Sequence, residues 1–272
     1  MRTPALLLLA AIAATPITTA SAQRPGTPWV KTLARPAGEL AEPFSAIGGV
    51  RELSDGRVLV VDRREKAVRL VDLDAGAATQ VGREGSGPGE YGLPMMLMPL
   101  PGDSTLLFDG MNARYHAIDP SGKIVGSLSL LGEGPGLGLG LVRGVDGAGR
   151  LYFLDRGLRG GPGMPAQTPD SGAIVRYDRA RKRADTVAYV RLPKMNVQRG
   201  GSGGQIQVRV SGPAPFTPQD EFAIGQDGRI ALVHVNDYRV EWIAPNGQRV
   251  LGRPNPFAPI RITDADREQL RQ

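Results

Sequence analysis

The chain has 272 residues, of which 41% are hydrophobic, 22% are charged and only 5% are aromatic. This apolar share excludes a disordered chain, and the absence of cysteine excludes disulfides, thiolate chemistry and a lipid-modified cysteine. The formal charge of +6 comes from basic residues interleaved with acidic ones, without aromatic stacking residues, so nucleic-acid binding is not predicted.

The N-terminus is typical of a secretory signal peptide. Arg2 precedes the apolar run Ala5 to Ala14, and Ala20-Ser21-Ala22 supplies the small residues that signal peptidase requires. A membrane anchor is the alternative, but roughly ten apolar residues span only half of a bilayer core. We therefore expect a signal peptide over residues 1–22 and a periplasmic or secreted mature chain, without a transmembrane segment, over 23–272.

A turn–strand–turn–strand unit recurs along the rest of the chain. In its first copy, Asp55-Gly56-Arg57 precedes the apolar run Val58 to Val61, which ends at Asp62. The corresponding residues of later copies follow at spacings of 47, 46 and 79 residues, at Asp109, Asp155 and His234. Such a repeat is typical of β-propeller blades, small antiparallel sheets that bury their faces by stacking. We predict an all-β propeller of four-stranded antiparallel blades, about four in this chain and forming a partial or open ring, over 45–92, 93–140, 141–193 and 215–260.

The pattern Asp-Gly-Arg, strand, Asp, second strand and Asp/Ala-Pro-x-Gly resembles the NHL-like, six-bladed β-propellers of exported bacterial proteins. The segment Gly82 to Tyr91 is similar to the linker that such proteins carry between blades. The resemblance implies six blades but no particular function. Because about four blades are visible and the chain ends in a predicted helix start over 264–272, we expect a propeller that is incomplete at its C-terminus. A complete small propeller, or one closed by another chain, is the alternative.

The repeated strand-end residues allow two interpretations. Asp62, Asp109, Asp155 and His234 could form a ring near one mouth of the central channel that holds a cation such as calcium or performs acid/base chemistry. Alternatively, each caps the turn after its strand, and repetition favours this structural role because every blade needs it. His234 breaks the pattern and is the candidate catalytic residue, whereas His116 is interpreted as a strand residue without chemistry. Two histidines and no cysteine offer too few ligands for zinc.

The glycine-rich segment Gly82 to Tyr91 lacks the Lys-Ser/Thr pair of a phosphate-binding loop and does not lead into a helix. Its glycines are interpreted as positions of positive φ in a tight crossover between blades. Its polar and aromatic side chains then lie on the loop face, where we expect ligand contacts from Arg83, Glu84, Glu90 and Tyr91. Two further segments, Arg156 to Ser171 and Met195 to Gly204, are interpreted as surface loops or as a lid over the channel.

The leading functional hypothesis is a binding module that contacts a protein or a small molecule through loops on one face. The alternative is a metal-dependent lyase or hydrolase with its site at the propeller channel, since some propellers of related build have such activities. A truncated gene product without independent function is the third possibility. We predict no cofactor, with calcium as the one metal that carboxylates and carbonyls in the channel could bind.

Overall fold

The computed structural model describes residues 32, 36, 38–130, 141–157, 169–200, 207–213, 217–258 and 261–269. The chain divides into two compact units, Met1–Ala37 and Gly38–Gln272, and nearly all of the described residues belong to the second. The predicted signal peptide lies outside the described residues. In the part of the chain that is described, no helix has the length and apolar character needed to cross a membrane.

The described part of the second unit contains four antiparallel sheets of four strands each, and each of these sheets is built from strands in chain order. Blade 1 contains β1 (Ile47–Glu52), β2 (Val58–Asp62), β3 (Ala67–Asp72) and β4 (Ala77–Gln80). The connection to blade 2 contains a short parallel pair, β5 (Arg83–Glu84) and β6 (Glu90–Tyr91). Blade 2 contains β7 (Pro94–Pro99), β8 (Thr105–Asp109), β9 (Arg114–Ile118) and β10 (Ile124–Leu128), with a 3₁₀ turn at Pro101–Asp103.

The second half of the unit repeats this plan with longer connections. Blade 3 contains β11 (Val142–Val145), β12 (Leu151–Asp155), β13 (Ser171–Asp178) and β14 (Arg183–Arg191). A two-stranded antiparallel hairpin follows, formed by β15 (Met195–Gly200) and β16 (Gln207–Pro213). Blade 4 contains β17 (Glu221–Ile224), β18 (Ile230–His234), β19 (Arg239–Ile243) and β20 (Arg249–Leu251), and the chain continues to a short helix, α1 (Asp264–Gln269).

The blades pack face to face, and each seam between neighbours has its own apolar cluster. Leu59, Val61 and Ile118 are buried between blades 1 and 2, Leu106, Tyr115 and Phe153 between blades 2 and 3, and Ile174, Leu232 and Ile243 between blades 3 and 4. The first strands of the blades, β1, β7, β11 and β17, contact one another in succession. Because the middle of a stacked blade is covered on both faces, second strands such as β2 and β12 are apolar in near-continuous runs. The prediction of an all-β propeller with four four-stranded antiparallel blades is confirmed.

Two ends of the blades carry different loops. The turns after each second strand and the connections between blades lie at one end, which we call the connection face; it includes 63–66, 81–93, 110–113, 192–194 and 235–238. The turns after each first and third strand lie at the other end, which we call the turn face. Hydrogen bonds join neighbouring blades at both ends: Asn112 Nδ2 donates to Gly85 O on the connection face, and Arg57 Nη2 donates to Pro120 O on the turn face.

One predicted loop is partly a strand. Met195–Gly200 forms β15 and pairs with β16, whereas the sequence of Met195 to Gly204 predicts a surface loop or a lid. The physical reason is the alternating pattern of Gln207-Val208-Arg209-Val210, which suits a strand and offers the preceding segment a hydrogen-bonding partner. Residues 158–168 and 201–206 of the two predicted loops lie outside the described residues.

Candidate functional site

Asp62, the last residue of β2, fastens two segments of the connection face to each other. Its buried carboxylate accepts backbone N–H bonds from Ser45 (2.5 Å) and Ala46 (3.2 Å), which precede β1, and from Arg64 (3.0 Å) and Glu65 (3.1 Å) in the next turn. Burial raises the pKa of Asp62, but these four bonds together hold it below its ordinary value. The structure therefore places a turn cap here.

Asp109 has the same arrangement at the end of β8. Its carboxylate accepts N–H bonds from Gly92 (3.1 Å) and Leu93 (2.9 Å) before β7, and an amide bond from the Asn112 side chain (2.7 Å) in the following turn. Burial raises the pKa of Asp109, and the hydrogen bonds from Leu93, Asn112 and Gly92 lower it further than burial raises it. Both aspartates are buried and bound to amides, so they are not placed as ligands of an open channel ring.

Blade 4 departs from this pattern. In blade 3, Asp155 accepts a backbone bond from Gly157 N at 2.8 Å, and residues 131–140, which precede β11, lie outside the described residues. In blade 4 the corresponding position is His234, and the capping carboxylate comes instead from Asp220, which precedes β17. Asp220 accepts N–H bonds from Val235 (3.0 Å) and from Arg191 (2.9 Å). The bond from Val235 joins the segment before β17 to the turn after β18, with the carboxylate now supplied by the segment before the blade. The cap of the turn after β18 therefore does not require His234.

His234 takes part in a small ionic cluster. Its Nε2 lies 2.9 Å from Glu241 Oε2 across the β18–β19 hairpin, and its Nδ1 lies 3.7 Å from Asp220 Oδ2. Arg249 Nε binds the other oxygen of Glu241 at 2.6 Å. The His234 side chain is 28% exposed, so this imidazole–carboxylate pair is accessible to solvent. It lies on the second and third strands of blade 4, outside the innermost strand β17.

The cluster is small for a metal centre. Among the residues that the structure describes, no three His, Cys, Asp or Glu side chains form a group that could hold a metal ion. Neither the predicted calcium ion nor the predicted absence of a cofactor is tested by this geometry. Both stay predictions.

The glycine-rich connection between blades 1 and 2 is held firmly in place. Gly82 and Gly89 have φ values of 65° and 75°, which favour glycine, and a Cβ on Gly82 would lie 2.8 Å from Gly89 O. Arg114 Nη2 donates to Ser86 O (3.1 Å), Gly87 O (3.3 Å) and Glu90 O (2.8 Å), so one guanidinium binds three carbonyl groups of the loop. The loop is thus ordered by contacts from blade 2.

Charged side chains project from this fixed loop. Arg83 pairs with Glu90 at 2.6 Å, and Glu84 pairs with Lys66 of blade 1 at 2.5 Å. The Arg83 side chain is 78% exposed and that of Glu84 is 58% exposed, whereas Glu90 is largely covered and accepts Gly87 N at 2.8 Å. Arg83 and Glu84 can therefore contact a ligand, and Glu90 mainly closes the turn.

The structure corrects the prediction made for Tyr91. Its ring is fully buried, its hydroxyl accepts Val68 N at 3.0 Å and donates to Val81 O at 2.8 Å, and burial raises its pKa. The prediction that Tyr91 lies on the loop face as a ligand contact is wrong. The reason is that the residue fills the seam between blades 1 and 2, where its hydroxyl satisfies the backbone of β3 and of the residue after β4.

A cavity of about 670 Å³ opens on the connection face between blade 3 and the segment that precedes β17. Its wall includes Tyr189, Arg191 and Lys194, together with Asp170 and Ser171. Two cations, one acid and an aromatic ring give the cavity both charge and apolar surface. Its volume lies in the range usual for small-molecule sites.

Sequence reasoning missed Asp220, Glu241 and the residues of this cavity. A signal for Glu241 does exist, because it follows His234 by seven residues, the same separation that joins Asp109 to His116. Seven residues is the distance across a second-strand to third-strand hairpin of this propeller. Asp220 has no comparable signal, since its cap depends on a turn fifteen residues away.

No protein-family model and no curated protein sequence matches this chain. Among solved structures, similarity is found to virginiamycin B lyase from Staphylococcus aureus, at 13% identity and a TM-score of 0.40, over 80% of this chain and 73% of that one. A gluconolactonase from Xanthomonas campestris matches at 14% identity and 0.37, over 78% and 77% of the two chains. A chain of the nidogen/laminin complex matches at 15% and 0.36, over 76% and 80%. At this level of similarity, ligand and reaction have to be inferred from the chain's own residues.

Proposed function

We propose that this protein is an exported binding module that contacts a protein or small-molecule ligand through its connection face. The observation that carries the proposal is the glycine-rich connection, on which Arg83 and Glu84 are exposed while the backbone is fixed by Arg114. A loop that is already ordered loses little conformational entropy when a ligand binds, so its charges contribute more fully to affinity.

The cavity beside blade 3 supports a small-molecule version of the same proposal. Arg191 and Lys194 give its wall positive charge, and Tyr189 is 67% exposed and offers a flat apolar surface. An anionic ligand with an apolar part fits this chemistry. The periplasm or the extracellular medium is the proposed location.

Two arginines allow a matched test on opposite faces. Arg83 on the connection face and Arg181 on the turn face are 78% and 80% exposed, and each pairs with one carboxylate at 2.6 to 2.7 Å. We expect proteins or metabolites from a periplasmic extract to be retained by the immobilised wild type and by Arg181→Glu, but lost with Arg83→Glu. Equal retention by both variants would show that binding, if any, does not use the connection face.

The six-bladed assignment belongs to the same proposal. Blade 4 exposes large apolar side chains, among them Trp242 at 46% and Val250 at 58%, which a further blade could cover. We propose that further blades complete the ring. The reading frame beyond the codon for Gln272 tests this, because additional blade repeats would support it and an unrelated sequence would contradict it.

A metal-dependent lyase or hydrolase is the second candidate, and the pairing of His234 with Glu241 at 2.9 Å favours it. The imidazole would act as general acid or base, and calcium is the metal we propose, with oxygen ligands beyond this pair. Calorimetric titration of the purified chain with calcium tests the proposal. Binding that His234→Ala weakens, in a variant with unchanged circular dichroism, would support it; no heat of binding would exclude a calcium enzyme.

A further inference from the structure

A serine, a histidine and an aspartate lie in one row across the outer part of blade 2. His116 of β9 is paired in register with Ser127 of β10, which places both side chains on the same face of the sheet. Ser127 Oγ lies 2.9 Å from His116 Nδ1, and Asp109 Oδ2 lies 3.6 Å from His116 Nε2. The imidazole is fully buried, whereas Ser127 is exposed.

The surroundings decide which ring nitrogen carries the proton. His116 Nε2 is buried, has no hydrogen-bond partner among the described residues and lies 3.6 Å from the Asp109 carboxylate, which hydrogen bonds keep ionised. A proton on Nε2 points towards this negative charge, so Nδ1 is left as an acceptor for the Ser127 hydroxyl. Burial, with the Arg114 charge as a smaller cause, lowers the pKa of His116, so the imidazole is neutral near pH 7 and free to accept a proton.

Ser127 also faces a space where a substrate can lie. A cavity of about 440 Å³ separates β10 from the glycine-rich connection, and its wall includes Ser127, Arg114, Ile124 and the backbone of 86–89. The register of β10 shifts between Ile124 and Gly126, a bulge of the kind often found beside active sites. Arg114 places a fixed positive charge in the cavity wall.

This combination occurs in one blade alone among those described. Ser127 and His116 are paired in register in blade 2. The equivalent pair is Gln80 and Arg69 in blade 1, and Leu251 and Glu241 in blade 4. In blade 3 the equivalent pair is Thr186 and Val175. A role needed for folding would recur from blade to blade, as the capping aspartates of blades 1 and 2 do. A hydroxyl held on an imidazole that itself adjoins a carboxylate is the arrangement of an activated nucleophile.

We propose that Ser127 is the nucleophile of an acyl-transfer site that hydrolyses carboxylic esters. Ser127 Oγ attacks the ester carbonyl carbon while its proton passes to His116 Nδ1, and the carbonyl oxygen becomes an oxyanion near Arg114. The bond from carbon to the alcohol oxygen then breaks, and His116 returns the proton to the departing alcohol. Water hydrolyses the acyl-serine by the same proton transfers and restores the Ser127 hydroxyl. Asp109 is a positioning residue that stabilises the charged imidazole.

The test uses the full chain and a fluorophosphonate probe, which phosphonylates activated serines with loss of fluoride. We expect one phosphonyl group per chain, located at Ser127 by peptide mass spectrometry, and none on Ser127→Ala. His116→Gln keeps an amide beside Ser127 but removes the base, so the labelling rate should fall about 100-fold or more. Ser121→Ala is the matched control, because Ser121 Oγ donates to Asp119 at 2.6 Å in the same blade without a histidine.

The pH dependence separates activation from a merely structural contact. Labelling of the wild type should rise with pH through a transition that lies below 6.5, since burial lowers the pKa of His116. With p-nitrophenyl acetate as substrate, turnover should follow the same transition and disappear in Ser127→Ala. A folded wild type that is not labelled, or that His116→Gln matches in labelling rate, would overturn the proposal and leave Ser127 as a partner that only satisfies the buried imidazole.

Discussion

Blades 2 and 4 contain the same acid–imidazole pair in opposite order. In blade 2 the acid, Asp109, ends the second strand and His116 lies in the third; in blade 4 His234 ends the second strand and Glu241 lies in the third. The two pairs occupy the same register positions of the hairpin. The blade 2 pair is fully buried, whereas His234 of the blade 4 pair is partly exposed.

The exchange shows what the strand-end position requires. An aspartate there binds the segment that precedes its blade, as Asp109 binds Gly92 and Leu93. When a histidine occupies the position, Asp220 supplies the cap from the preceding segment itself. Capping is therefore a property of the blade junction, and the residue at the strand end is free to change once another carboxylate provides it.

The largest difference in stability should appear between two single variants in which a strand-end residue, Asp109 of blade 2 or His234 of blade 4, is replaced by asparagine. Asp109→Asn leaves buried N–H groups of Gly92 and Leu93 with a poorer acceptor, so we expect a loss of about 3 kcal/mol in the free energy of unfolding. His234→Asn should cost less than about 1 kcal/mol, because Asp220 keeps the cap. Urea unfolding followed by circular dichroism measures both, and equal losses would refute the division of roles between the two positions.

Removal of a single tyrosine hydroxyl, in blade 2 or in blade 4, extends the comparison of these two blades. Tyr115 of blade 2 is buried in the seam with blade 3, and its hydroxyl accepts Val142 N at 2.9 Å. Tyr115→Phe leaves that N–H without a partner, and we expect a loss of about 1 to 2 kcal/mol. Tyr238→Phe in blade 4 is the control, since Tyr238 is 51% exposed and packs against Phe257; its effect should stay within about 0.5 kcal/mol. A comparable loss in both variants would contradict the role assigned to the seam.

The smallest effect concerns the dependence of stability on pH. The pKa of His116 is lowered in the folded chain by burial, so below about 6.5 the unfolded chain binds a proton that the folded chain does not. Stability should therefore fall as the pH drops from 6.5 to the lowered folded pKa, by at most about 1.4 kcal/mol per pH unit. His116→Gln should flatten this slope. Urea midpoints measured between pH 5 and 8 decide; an unchanged slope in His116→Gln would mean that other groups produce it.

Much of the fold could be predicted because the signals that specify a blade are local. Turn sequences such as Asp-Gly-Arg and Asp-Pro-Ser-Gly flank short apolar runs, so each strand end can be located to within a few residues. The hairpin of β15 and β16 was missed although its alternating residues were visible, because the neighbouring glycines suggested a loop.

The candidate site could be predicted only in part, since it depends on contacts between distant segments. Arg83 and Glu84 are exposed as a loop position suggests, but burial of Tyr91 results from its contacts with Val68 of β3 and with Val81, the residue after β4. His116 was interpreted as a strand residue without chemistry, because nothing in the sequence reveals that Ser127 is its neighbour across β9 and β10. Pairing between strands, and not composition, brings these side chains together.

The exposure of Trp242 provides an optical reporter. Trp242 follows Glu241 directly, is 46% exposed and has the Arg229 guanidinium 5.8 Å from its ring. The only other tryptophan of the chain is Trp29, so Trp29→Phe would leave a single indole, located in blade 4. Its emission would then report on blade 4 separately from the far-ultraviolet dichroism of the whole propeller, and a ligand that docks against Trp242 would be visible without any added dye.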